Sequence, residues 1–198
     1  DTAAAARLRD TLALPHARVA TWSSPPLAQI VAAILKPSQN WIAEQLLKTL
    51  GLERAGRGSW PAGVEVERRW LSDVARIDST AFVLRDGSGL SRQDLLAPEA
   101  IVALLDFARR APWGALYRAA LPRPGEPEST LERRLAGLES RVEAKTGTLT
   151  HVAALSGYLR AENGRELLFS VVANASGRPA ADMRRGIDRL IEAAAAAR

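Results

Sequence analysis

The chain has 198 residues, with 27 Lys and Arg against 22 Asp and Glu, a net charge of +5 and no cysteine. That is the size of one ordinary domain, and without cysteine it can form no disulfide and do no thiolate chemistry. The only lysines are Lys36, Lys48 and Lys145, the arginines are scattered without a run of like charge, and no apolar run approaches the ~18 residues of a membrane span. A nucleic-acid footprint, a transmembrane segment and a signal peptide are therefore not expected.

In chain order, Ala4, Leu8 and Leu12 are spaced for a helix over residues 3–13, and residues 18–22 suit a short strand. Ser24-Pro25-Pro26 starts a second helix with proline in its first turn, and Pro37 should stop it by lacking a donor. Ser38-Gln39-Asn40 then falls in a break, and a new helix runs from Trp41 to Leu50 with Gly51 as its cap. Residues 53–63, rich in Gly, Arg and Pro, read as a loop, followed by a helical face of Val66, Trp70 and Val74 and a strand over residues 80–84. Asp86-Gly87-Ser88-Gly89 is turn chemistry. Pro98 opens a helix through Ala108, residues 121–128 form a proline-rich loop, and Ser129 with Glu132 suits a capping box on a short helix. Strands over 141–149, 152–161 and 165–173 precede an amphipathic helix carrying Met183, Ile187, Leu190 and Ile191.

Chemistry gathers at two places. In Lys145-Thr146-Gly147-Thr148 the threonines sit two apart, so their hydroxyls share one face of a strand, and Gly147 leaves bare main chain between them. One cation, two hydroxyls and an open backbone suit an anion. The other place is the helix break at Ser38-Gln39-Asn40. A Ser-x-Asn followed by a Lys-Thr-Gly forms two parts of a serine acyltransferase constellation whose third part is Ser-x-x-Lys. Three residues before Lys36, Lys48 and Lys145 stand Ala33, Gln45 and Val142, so these 198 residues contain no Ser-x-x-Lys. His16 and His151 are isolated and give no metal spacing.

Taken in order, Ser24-Pro25-Pro26-Leu27, Lys36 to Asn40, Asp86-Gly87-Ser88-Gly89-Leu90-Ser91-Arg92 and Lys145 to Leu149 resemble the D-alanyl-D-alanine carboxypeptidase/endopeptidase family. These are low-molecular-mass penicillin-binding proteins with a large insertion between the first and second motifs. Gln39 departs from the commoner Asp, and His151 stands where a small residue is usual. The resemblance implies an α/β fold, an antiparallel sheet flanked by helices of the penicillin-binding protein and serine β-lactamase type, incomplete at its N-terminus. It implies that residues 1–23 end the insertion and that 24–198 are the C-terminal part of the peptidase domain. It implies a periplasmic or otherwise extracytoplasmic enzyme on peptidoglycan stem peptides, inhibited by β-lactams, with no cofactor or metal.

By the same resemblance, Ser38, Asn40 and Lys145 are catalytic, and Thr146, Gly147 and Thr148 bind substrate. The nucleophile belongs to an N-terminal half of the same protein, so the fragment alone is expected to be inactive. A non-catalytic remnant binding peptidoglycan or a partner, and a serine β-lactamase relative, are the alternatives. The reading predicts an open frame upstream of Asp1 that encodes Ser-x-x-Lys. A stop codon and start site directly before Asp1 would contradict it.

Overall fold

Residues 22–197 are described by the structure, a computed structural model. The helix expected at 3–13, the strand expected at 18–22 (but for Trp22, which is in neither) and most of the 1–23 segment lie outside them. Helix α1 (Leu27–Leu35) ends where Pro37 requires, and α2 spans Asn40–Ala55, α3 Trp60–Asp73. A two-stranded ribbon, β1 (Phe82–Val83) with β2 (Leu95–Leu96), precedes α4 (Pro98–Arg110) and α5 (Gly114–Ala120). The main sheet is an antiparallel meander of β3 (Val142–Leu149), β4 (Val152–Arg160) and β5 (Glu166–Asn174), and α6 (Ala180–Ala195) follows.

Strand alternation gives the meander two apolar faces. Val142, Ala144, Ala153, Leu155 and Leu159 pack with Met183, Ile187 and Ile191 of α6. Tyr158, next to Leu159 and so on the other face, packs with Leu105 and Leu121, and its hydroxyl donates to Leu105 O at 2.7 Å. A third cluster of Leu71, Ile77, Phe82 and Ala100 joins α3, the ribbon and α4. The fold is thus mixed α/β, helices on an antiparallel sheet.

Five local expectations need correction; the strand expected at 80–84 shrinks to Phe82–Val83 behind a 3-10 turn at Ser79–Ala81. Gly51 does not cap α2; the helix runs on to Ala55 and closes at Gly56, whose φ of 67° is left-handed. Gly51 is instead buried against α3, where an added Cβ would stand 2.7 Å from Gly63 N, so its missing side chain serves packing. The loop expected at 53–63 shrinks to residues 56–59, because Ser59 caps α3 by accepting from Ala62 N–H and Pro61 suits its first turn. Ser129 and Glu132 lie in consecutive turns, without a helix; the Ser129 hydroxyl accepts from Leu131 N–H and Glu132 from Glu128 N–H. Leu190 faces solvent at 59 % exposure, unlike its three neighbours in the periodicity. Helix α5 has no counterpart in the sequence reading.

The α2–α3 contact is a close helix crossing. A Cβ on Gly63 would stand 2.3 Å from Leu47 O. Gly63→Ala should therefore cost roughly 1–3 kcal/mol by overpacking. Gly186→Ala, where an added Cβ meets nothing within 4 Å, should add roughly 0.5–1 kcal/mol. Denaturant unfolding of both variants checks this, and a neutral Gly63→Ala would show that the helices are free to part.

Candidate active site

The end of α1 builds the first half of the site. Gln39 N–H donates to Ile34 O at 2.9 Å, and Ser38 between them has a φ of 62°. This is the 6→1 closure that usually places glycine in the left-handed position. Serine there bears a backbone cost of order 1 kcal/mol and gains a hydroxyl at the break. Asn40, two residues on, opens α2 and is exposed.

The second half is the outer edge of β3, whose paired neighbour is β4 alone among the described residues. Ala144 N–H turns away from β4 to donate to Pro122 O at 3.0 Å. In an antiparallel strand alternate residues point their backbone groups the same way, so the N–H groups of Thr146 and Thr148 leave by that edge too. Pro122 closes the edge at Ala144; from Thr146 onward no described strand pairs with it, and Gly147 and Thr148 are exposed. Lys145 and the two threonines project from opposite faces, so they converge only around this edge.

The lysine makes that turn. Its Nζ donates to Ser38 Oγ at 2.8 Å and to Thr146 O at 2.8 Å. The structure thus brings Ser38 and Lys145 into direct contact across 107 residues of sequence. The irregular segment 121–141 braces both sides of this contact. Thr130 N–H donates to Lys36 O at 3.0 Å, Lys36 pairs with Glu126, and Pro122 holds Ala144. The segment is itself pinned to α6 by Arg134, bound to Asp188 at 2.6 Å.

Burial lowers the Lys145 ammonium from its ordinary 10.5 to about 8, because no carboxylate offsets the lost hydration. Three acidic groups on or against the 86–94 loop went unread in the sequence. Glu44, one turn beyond Asn40, is opposed by burial, yet its bonds from Ser88, Gly87 and Trp60 outweigh this and hold it below the usual carboxylate range. Glu67 is pushed up to about 7 by burial and by Asp94 and Asp86. Asp94 is pushed up to about 6 by burial and by Asp86. The i,i+4 spacing of Asn40 and Glu44 was the one available signal for Glu44. A cleft of about 370 Å³ lies at the far end of the β3 edge, lined by Arg92, Thr150, His151, Val152, Asn174, Ala175 and Gly177. None of the expected site residues lines it, although Thr150 follows Thr148 by two.

A folded-state value below the ordinary one makes the lysine a stability cost wherever it is charged. The cost is complete below about pH 8, shrinks between 8 and 10.5, and is absent above. Stability of the wild type relative to Lys145→Met should rise by about 3 kcal/mol across that window. Denaturant unfolding from pH 7 to 10.5 measures it, and parallel pH profiles would contradict the burial argument.

The model for the D-Ala-D-Ala carboxypeptidase 3 (S13) family matches residues 8–194. The D-alanyl-D-alanine carboxypeptidase of Actinomadura sp. (strain R39) is 42% identical over 168 residues, covering 82% of this chain and 31% of that protein. The crystal structure of penicillin binding protein 4 (dacB) from Haemophilus influenzae superposes with a TM-score of 0.71 at 26% identity, covering 79% of this chain and 35% of that one. A class A beta-lactamase from Bacteroides cellulosilyticus shares the fold, with a TM-score of 0.64 at 18% identity over 93% of this chain and 66% of that one. The chain spans about a third of the length of the curated relatives it matches. With a match over nearly its whole length, the chain belongs to the D-Ala-D-Ala carboxypeptidase 3 (S13) family.

Proposed function

We propose that this chain supplies the second and third motifs of a serine-type D-Ala-D-Ala carboxypeptidase/endopeptidase acting on peptidoglycan stem peptides outside the cytoplasm. The reaction is acyl transfer: a serine outside these 198 residues attacks the penultimate carbonyl, the terminal D-alanine leaves, and water releases the acyl group. β-Lactams would acylate the same serine. The observation that carries the proposal is the 2.8 Å bond from Lys145 Nζ to Ser38 Oγ.

In this reading Lys145 polarises the Ser38 hydroxyl, which relays a proton toward the leaving amine. Asn40, at the mouth of α2, orients the nucleophile's lysine and the substrate amide. Thr146 and Thr148 take the terminal carboxylate, Gly147 lets the peptide backbone approach, and the Thr148 N–H serves as one oxyanion donor. The outward direction of that N–H supports this role, since it is unspent on β4. A left-handed Ser38 supports it as well: glycine would fill that backbone position at lower cost but would carry no proton.

The test uses the full-length protein and compares kcat/KM on a D-Ala-D-Ala peptide and on its C-terminal amide. Lys145→Ala removes a preorganised electrostatic partner and should cost roughly 10²- to 10³-fold, about 3 kcal/mol. Thr148→Val keeps its backbone donor and loses one hydroxyl to a charged group, so about tenfold is expected on the free acid, and less on the amide. Near-normal activity of Lys145→Ala would make the strand structural and end the proposal.

A further inference from the structure

We infer that Glu44 is a positioning residue for this site: it fastens the loop of residues 86–92 onto α2, so that the helix break carrying Ser38 and Asn40 and the wall carrying Arg92 keep one relative placement. The inference rests on the reading of Ser38, Asn40 and Lys145 given above.

Glu44 stands one helical turn beyond Asn40 and is half-buried. Its two carboxylate oxygens collect three donors from two other segments. Gly87 N–H reaches it at 3.1 Å, Ser88 N–H at 3.0 Å, and the Trp60 indole Nε1–H at 2.7 Å. Trp60 opens α3, and its ring lies 4.0 Å from the Lys48 ammonium, which keeps the indole where Glu44 needs it. One ionised side chain therefore joins α2, α3 and the loop through bonds of the stronger, charge-assisted kind.

Packing at the same place brings the loop directly against the helix. A Cβ on Gly87 would stand 2.9 Å from both Ala43 O and Leu47 Cβ, so the loop backbone lies directly on the helix. Within the loop, Asp86 accepts from Gly89 N–H at 2.6 Å and Ser91 N–H at 2.7 Å, and Asp94 accepts from Arg85 N–H at 2.6 Å. The loop is thus internally tied, and among the described residues its hydrogen bonds to α2 all pass through Glu44. Its far end, Arg92, walls the cleft that begins at Thr150 and His151. Release of Glu44 would let this wall shift against the β3 edge without disturbing Lys145 itself.

The experiment compares Glu44→Ala, Glu44→Gln and Glu44→Asp in the full-length protein by two readouts. One is amide hydrogen exchange at residues 38–42 and 86–92; the other is the second-order rate of acylation by a fluorescent penicillin, with Tm recorded. Glu44→Ala should speed exchange in both segments and slow acylation by about tenfold, the scale of one bond to a charged group. Glutamine has the same reach but loses the charge, and one of the two accepting oxygens becomes an NH2 facing an N–H donor, so it should recover only part of both losses. Aspartate keeps the charge but is a methylene short, and should recover neither. Unchanged acylation in Glu44→Ala, rescue by Asp rather than Gln, or losses that merely follow Tm would each overturn the inference. If the wild type is not acylated, the reading of the site fails, and exchange alone decides on Glu44: faster in both segments upholds the coupling, slower or unchanged in either refutes it.

Discussion

A single hydrogen bond, Lys145 Nζ to Ser38 Oγ at 2.8 Å, joins a helix break near one end of the chain to a strand edge near the other. Such a contact is weak taken alone; a bond of this type contributes on the order of 1–3 kcal/mol when one partner is charged. Its persistence depends on how little the two sides are free to move. The strand is fixed because both faces of its sheet are covered, by α6 on one side and by Leu105, Leu121 and their neighbours on the other. The helix break is fixed because Lys36, two residues before Ser38, is held through both backbone and side chain by Thr130 and Glu126. Segment 121–141 has no regular structure, yet it is the brace common to both.

Charge follows the same division of labour. Arg118 is shared between Glu143 at 2.6 Å and Glu166 at 2.7 Å and lies 4.4 Å from the Tyr158 ring, so it clamps the three strands of the sheet across one face. Among the described residues Lys145 has no carboxylate partner, and its donors go to neutral oxygens. Arg118 thus serves the sheet, while Lys145, half-buried, is left without a counter-charge.

Much of this was legible in the sequence, and the reasons differ residue by residue. The three long strands and α6 could be read because their apolar periodicity is strong and each is bounded by turn chemistry, as at Asn163-Gly164, where Gly164 has a φ of 82°. Pro37 marked the end of α1 because a missing donor acts locally. Gly51 misled because the same absence of a side chain serves a helix cap and a helix crossing, and only the partner helix distinguishes them. Ser38 and Lys145 could be singled out by motif, and the resemblance implied that the lysine holds the serine hydroxyl; the 121–141 brace that fixes their contact was not legible. Glu44, Glu67 and Asp94 went unread, since their roles arise from burial and from donors and charges brought by distant segments.

The open edge of β3 has a consequence of its own. The outward N–H groups of Thr146 and Thr148 are a template for an extended chain, although the Thr146 carbonyl already accepts from Lys145. A β-strand of another protein molecule can compete for the same groups, because main-chain hydrogen bonding does not recognise sequence. Gly147 and the two threonines make the template narrow and weakly apolar, and Pro122 caps it after one residue pair. The opening, residues 146–148, is therefore long enough for a short extended segment and too short for a strand that must continue.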